Sequence, residues 1–383
     1  MTEMIYVTRP FLPDLHELIP LLEQIWTNRV LTNQGPFHQQ FEEELSKFLD
    51  AERVSLVCNG MLALSAAIAA AELKAGSEVI TTPYSFVATT HSIAMANLTP
   101  VFVDVRKRDL TIDPSRIEAA ITPRTSAILG VHVYGNPCEV EAIQTIADRH
   151  DLKVIYDAAH AFGVRYRGKS LLGFGDFSTL SFHATKAFNT FEGGAVFSAT
   201  DAGRQLVRNY RNFGFADELN IPAIGGNAKM SEFNAALGLL QLGHFEEVRR
   251  RRAEVDRRYR DLLAGIGGID VLPIPEDVEP NHSYFPILVR PEFRVSRDEL
   301  YEQLKNAGFY ARRYFHPLLS SLPMYRDLPS AGEDRLPIAT EASEQILCLP
   351  FYHDLAEDDQ NRLVDVIRSS GLQIEQRATG VNL

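Results

Sequence analysis

Seven short runs of β-branched and apolar residues are spread through the first 200 positions, at 53–57, 78–82, 100–105, 125–133, 153–157, 179–182 and 195–198. Helix-like stretches fill several of the intervals, at 61–73, 88–96 and 139–150. Strands joined by helices can lie side by side in parallel, because each helix supplies the crossover that a parallel pair requires. The alternation therefore predicts an α/β fold with a mostly parallel, seven-stranded sheet flanked by helices on both faces. From 231 to 262 the pattern is helical, interrupted at most by Gly243. That helix bridges a large part, residues 1–245, to a smaller α+β part, residues 246–383, with strand-like 284–289 and helical 297–307 and 356–369. The Pro-rich stretch 272–280 reads as a linker.

The formal net charge of −12 argues against bulk attraction to nucleic acid or to an anionic membrane, while leaving room for a local phosphate site. The basic run Arg249 to Arg252 sits one helical turn from Glu246, Glu247 and Glu254, as expected of a solvated helix face. Three distant cysteines, Cys58, Cys138 and Cys348, have neither disulfide-framework nor metal-ligand spacing, so no metal is expected. No apolar segment is long enough to span a bilayer, and residues 1–10 lack the basic patch and apolar run of a signal peptide. A soluble, cytoplasmic protein is the expectation.

In a sheet of this kind ligands gather at the carboxyl ends of the strands, where Asn59, Asp157 and Ser181 fall. Lys186 follows one apolar strand within Ser181-Phe182-His183-Ala184-Thr185-Lys186, shortly before Glu192-Gly193-Gly194. Phe182, Phe188 and Phe191 flank it, and apolar surroundings favour the neutral amine that adds to a carbonyl. Asp157 ends another buried strand, where an unpaired carboxylate is costly unless it meets a cation. Together they fit pyridoxal 5'-phosphate, which needs an imine-forming lysine and an anion facing its pyridinium nitrogen. Asn59-Gly60-Met61 is a strand end, a glycine turn and a helix start, so the Gly60 and Met61 amides can meet a phosphate, with Ser181 adding a hydroxyl. Phe86 is placed to stack on an aromatic ring, and His160 to reach the ring face or its phenolic oxygen. Each residue also has a plainer reading: Lys186 as a surface lysine, Asp157 as a helix cap, His160 as a hydrogen-bonded core histidine, Phe86 as core.

The motifs 31–37, Asn59-Gly60-Met61-Leu62-Ala63-Leu64, 83–89, Asp157-Ala158-Ala159-His160, Ser181 to Lys186, Glu192-Gly193-Gly194 and Gly226-Asn227-Ala228-Lys229-Met230 together closely resemble the DegT/DnrJ/EryC1/StrS sugar aminotransferases, fold type I PLP-dependent transferases that aminate nucleotide-linked keto-sugars. The resemblance implies that Lys186 forms the imine with the cofactor and Asp157 holds its ring nitrogen. It also implies that Gly60, Met61 and Ser181 bind the phosphate, and that Phe86 and His160 contact the ring. Asn227 resembles the family asparagine that reaches the phosphate of the neighbouring subunit, which implies a homodimer with shared active sites. Met61 stands where many members have threonine and His160 where glutamine is common. Arg312-Arg313-Tyr314-Phe315-His316-Pro317-Leu318 resembles the segment that approaches the sugar nucleotide, with Arg313 meeting a diphosphate, Tyr314 and His316 the sugar, and Arg312 either or neither; a structural role for the loop is the other reading. The implied activity transfers the amino group of L-glutamate to a nucleoside-diphosphate keto-sugar, with C4 of dTDP-4-keto-6-deoxyglucose the first expectation. C3 amination of a related dTDP-sugar and a non-catalytic PLP-binding regulator are the alternatives; Lys186 argues against the dehydrating relatives, which carry histidine there.

Overall fold

The computed structural model describes residues 4–372. Helices α1 (Leu15–Asn28) and α2 (Pro36–Leu49) precede a sheet of seven strands: β1 (Val54–Val57), β2 (Glu78–Thr81), β3 (Thr99–Phe102), β4 (Thr125–Val131), β5 (Lys153–Asp157), β6 (Phe177–Ser181) and β7 (Gly194–Ser198). Their spatial order is β1-β7-β6-β5-β4-β2-β3. All neighbours are parallel except β7, which runs antiparallel to both β1 and β6. Each expected run thus became a strand of one sheet.

Side chains along these strands divide between two cores. Leu56, Ile80, Ile128, Val154, Tyr156, Leu180 and Phe197 pack on one face. Val57, Val79, Leu129, Ile155, Phe177 and Val196 pack on the other. Alternate residues point to opposite faces, so covering both faces makes the whole strand apolar and erases the polar alternation of a half-exposed sheet. Helices α3 (Gly60–Ala70), α4 (Val87–Met95), α5 (Pro114–Ala120), α6 (Val140–His150) and α7 (Asp201–Arg211) form this cover. Ala63, Ala66, Ala67 and Ala70 are the buried stripe of α3, and their small size lets it lie close over β6 and β7. Glu42 of α2 fastens the first strand: it accepts from the Leu56 amide at 3.0 Å and from Arg211 at 2.6 Å. Burial alone would raise its pKa, and Arg211 with that amide carries it down to about 2.

Helix α8 (Glu232–Leu263) runs unbroken for 32 residues. Gly243 does not interrupt it, and a side chain there would meet nothing within 4 Å. Ala235, Ala236 and Phe245 join the core of the large sheet, whereas Val255, Tyr259 and Leu263 join a third core. That third core belongs to an antiparallel sheet of β8 (Ile269–Val271), β9 (Phe285–Val289) and β10 (Ile346–Leu349), in that order, with α9 (Arg297–Asn306), α10 (Pro337–Gln345) and α11 (Glu357–Leu372) around it. In the basic run, Arg249, Arg250 and Arg251 pair with glutamates one turn away on α8, as expected. Arg252 differs: it is buried and donates to the carbonyls of His282 and Ser283, at 2.7 Å each. The stretch read as a linker is also tied down, because Val278–Glu279 pairs with Arg165–Tyr166 and both Leu272 and Val278 are buried. No helix among the described residues is long and apolar enough to cross a membrane.

Candidate active site

A cavity of about 510 Å³ opens where β1, β5 and β6 end, and Tyr284, Arg312, Tyr314 and Phe315 also line it. Asp157, the last residue of β5, is 5% exposed. Its Oδ2 accepts from the Thr89 hydroxyl at 2.8 Å and its Oδ1 from the Ala159 amide at 3.1 Å. Burial raises its pKa, and the Thr89 hydroxyl, the Ala159 amide and the charge of Lys186 oppose that rise. Behind Thr89, the Ser85 hydroxyl lies 2.7 Å from that of Thr89.

Lys186 lies in the turn between β6 and β7, held by its own amide donating to His183 O at 2.9 Å and by Ala184 N–H to Phe191 O at 2.9 Å. Phe182 and Phe188 are buried beneath the turn, and Phe188 stacks on Phe162 with centroids 4.1 Å apart. Phe191 instead faces outward and stacks on Phe233. The amine borders the cavity, with Nζ 5.8 Å from the centroid of the Tyr284 ring. Desolvation lowers its pKa to about 8, with Asp157 pulling the other way.

His160 is a buried, hydrogen-bonded histidine that also faces the cavity. Its Nδ1 accepts from the Tyr134 amide at 3.0 Å, and the ring also borders the cavity. A ring nitrogen that accepts an amide hydrogen carries no proton of its own, so the neutral ring keeps its proton on Nε2. Burial, with the charge of Lys186, holds the ring well below the ordinary histidine pKa.

At the opposite end, Asn59 caps α3 by accepting the Leu62 amide at 2.9 Å, and Ala63 N–H returns to Asn59 O at 3.0 Å. The amides of Gly60 and Met61 precede the first intrahelical bond and are the group that a helix start offers an anion. A Cβ on Gly60 would lie 2.6 Å from the Ser181 Cβ, so glycine permits the close approach of this turn to the end of β6. Phe86, at the start of α4, is 57% exposed and borders the cavity, which removes the reading as a core residue. A helix start with free amides, a carboxylate, a low-pKa amine and an exposed ring border one cavity, and in donor type they fit pyridoxal phosphate.

The 312–316 segment divides differently from its sequence reading. Arg312 and Tyr314 border the cavity. Arg313 donates to Asp298 at 2.6 Å and lies 3.7 Å over the Tyr301 ring, and His316 meets the Ser343 hydroxyl at 3.1 Å, so neither takes part in the cavity wall. Asn227 is exposed, bridged through its backbone to Asn212, and likewise outside the wall. Thr89, Ser85 and Tyr284 went unassigned in the sequence. Thr89 had a usable signal, standing three residues after Phe86 in a segment already marked by its motif.

A desolvated lysine and a buried aspartate at the strand ends of an α/β fold are the groups that a lysine-bound carbonyl cofactor would require. Residues 14–368 match the DegT/DnrJ/EryC1/StrS aminotransferase family, and this chain belongs to it: it is a PLP-dependent aminotransferase. It is 51% identical over 353 residues to a dTDP-4-amino-4,6-dideoxy-D-glucose transaminase of Escherichia coli, covering 92% of this chain and 95% of that one. Identity is 49% over 369 residues to the enzyme of the same description from Shigella dysenteriae, covering 96% and 99%. Among solved structures, DesI, crystallised in the presence of its TDP-sugar product, superposes with a TM-score of 0.93 at 35% identity, covering 99% of this chain and 95% of that one.

Proposed function

We propose that this protein transfers the amino group of L-glutamate to C4 of dTDP-4-keto-6-deoxyglucose, with pyridoxal 5'-phosphate as cofactor, as a cytoplasmic homodimer. The observation that carries the reading is one cavity holding both Lys186 and Asp157, in a chain about half identical to two transaminases of that sugar. When bound, the cofactor would supply an electron-withdrawing ring and a carbonyl carbon able to carry the amino group from one substrate to the ketone of the next. Gly60, Met61 and Ser181 hold the phosphate, and Phe86 covers one face of the ring. Asp157 would face the ring nitrogen, and the Thr89 hydroxyl and the Ala159 amide favour its charged form against the effect of burial. Lys186 Nζ would move one proton in each half-reaction, from Cα of glutamate to the cofactor in the first and from the cofactor to C4 of the sugar in the second. His160 offers its Nε2–H as a neutral donor. Residues 1–245 carry these cofactor groups, and residues 246–383 supply Tyr284, Arg312 and Tyr314 to the sugar side.

Asn227 supports the dimer: it is exposed and outside its own cavity, where a residue directed at a partner's phosphate would stand. Purified protein supplied with glutamate and dTDP-4-keto-6-deoxyglucose should give dTDP-4-amino-4,6-dideoxyglucose, with the position and stereochemistry of the new amine read by NMR. Amination at C3 of a related sugar instead, or no turnover by cofactor-loaded protein, overturns the reading.

A further inference from the structure

Two buried tyrosines outside the cavity wall converge on one carbonyl of its sugar side. Tyr84 follows β2 and Tyr134 follows β4. Their hydroxyl oxygens are 2.8 Å apart. Tyr134 also hydrogen-bonds to the Tyr314 carbonyl, and the Tyr84 hydroxyl lies 3.2 Å from that same oxygen. Three contacts share two hydroxyl hydrogens, so the arrangement that uses the shorter ones is a chain: Tyr84 donates to Tyr134, and Tyr134 donates to Tyr314 O. Burial raises both phenol pKa values, which keeps both hydrogens in place.

Tyr134 has a second attachment. Its amide donates to His160 Nδ1, and its ring lies nearly parallel to those of His160 and Phe315, at 10° and 11°. On the other side of the segment, Arg312 exchanges both backbone hydrogen bonds with Cys348, at 3.0 and 2.7 Å. The wall formed by Arg312, Tyr314 and Phe315 is thus fixed at Arg312 by β10 and at Tyr314 by Tyr134. One residue ties the wall to the histidine on the cofactor side.

We propose that Tyr134, backed by Tyr84, is a positioning residue for the sugar half-reaction, because its hydroxyl sets the Arg312–Phe315 wall against His160. The proposal rests on the substrate reading above. Glutamate is small, whereas a sugar nucleotide must press against that wall, so loss of the hydroxyl should separate the two half-reactions.

Tyr134→Phe keeps the ring stack and the amide to His160 and removes only the hydroxyl. Its expected effect is about a tenfold rise in KM for the keto-sugar nucleotide and about tenfold weaker calorimetric binding of dTDP-4-amino-4,6-dideoxyglucose, the size of one lost buried hydrogen bond. The single-turnover rate with glutamate should stay within about twofold of wild type. Tyr84→Phe should move the same quantities in the same direction by less. Equal losses in both half-reactions, or a fall in thermal stability that accounts for the loss, would make the pair merely structural. Unchanged sugar kinetics and product affinity would also overturn the proposal. Wild type is assayed first: if it aminates a different keto-sugar, the substrate reading fails and the same comparison is made with that sugar and its product. If wild type turns over none, the dTDP-sugar titration alone decides, and equal affinity in wild type and Tyr134→Phe refutes the positioning role.

Discussion

The two ends of the cavity are built in different ways. The end proposed for the cofactor is made of residues that terminate or directly follow strands of one sheet: Asn59 after β1, Asp157 ending β5, Ser181 ending β6 and Lys186 in the turn beyond. The end proposed for the sugar is made of Tyr284, Arg312, Tyr314 and Phe315, which come from irregular segments of the smaller part, and Tyr314 is held by contacts distant in sequence. A sheet fixes its strand ends through hydrogen bonds shared across every neighbour. A loop takes its orientation from whatever it packs against. The cofactor end should therefore fail in both half-reactions when damaged, and the sugar end in one.

The largest break should come from Lys186→Ala, which removes the amine that both half-reactions are proposed to use. We expect at least about a thousandfold loss of transamination in each, with circular dichroism unchanged. Borohydride treatment of loaded wild type should fix the cofactor to the peptide containing Lys186; fixation on another lysine would refute the assignment. The lowered pKa of about 8 adds a pH signature. At pH 7 it leaves about one amine in ten neutral, against fewer than about one in a thousand for an ordinary lysine. The rate at which apoprotein captures pyridoxal phosphate should consequently rise with pH and level off above about 8; a rise that continues to about pH 10 would mean that the amine is solvated.

Asp157→Asn comes next. It preserves the shape and the bond from Ala159 but removes the negative charge, so both single-turnover rates should fall by about a hundredfold while cofactor is retained. Near wild-type rates would reduce Asp157 to a structural cap.

Arg312 and Arg313 test the other end. They are adjacent, chemically identical and unlike in surroundings: Arg312 borders the cavity, whereas Arg313 is held by Asp298 and the Tyr301 ring. Arg312→Ala should raise KM for the sugar nucleotide about tenfold and spare the glutamate half-reaction, the loss expected for a charge-assisted contact to the substrate. Arg313→Ala should change neither by more than about twofold. The reverse ranking would restore the diphosphate role that the sequence motif implied for Arg313.

That pair also marks where the sequence stopped being readable. The seven strands were legible because burial on both faces leaves uninterrupted apolar runs, and the meeting of Lys186 and Asp157 at one cavity was legible because they stand at fixed offsets from such runs. Choosing between Arg312 and Arg313 depends on Asp298 and Tyr301, which lie in α9 and leave no trace near residue 313. Arg252 was hidden in the same way. Its three neighbours pair along α8 as spacing requires, while Arg252 turns inward to carbonyls 30 residues away. The segment 272–280 has the composition of a linker, and its pairing with Arg165–Tyr166 is visible only once the chain has folded back.

The smallest effect should separate the Asp157 carboxylate from its support. Thr89 donates to Asp157 Oδ2, and this bond stabilises the charged form of a carboxyl group whose pKa burial has already raised. Thr89→Val is nearly isosteric and removes the hydroxyl, so the carboxyl pKa should rise further and protonation should begin at a higher pH. Well above that range Asp157 is still ionised and the rate should fall by no more than about fivefold, the scale of one hydrogen bond. The acidic limb of the glutamate half-reaction should move upward in pH, and Thr89→Ser should move it back. A limb that stays in place in Thr89→Val, or that serine fails to restore, would show that Asp157 holds its charge without Thr89, and that the cofactor end depends on the sheet alone.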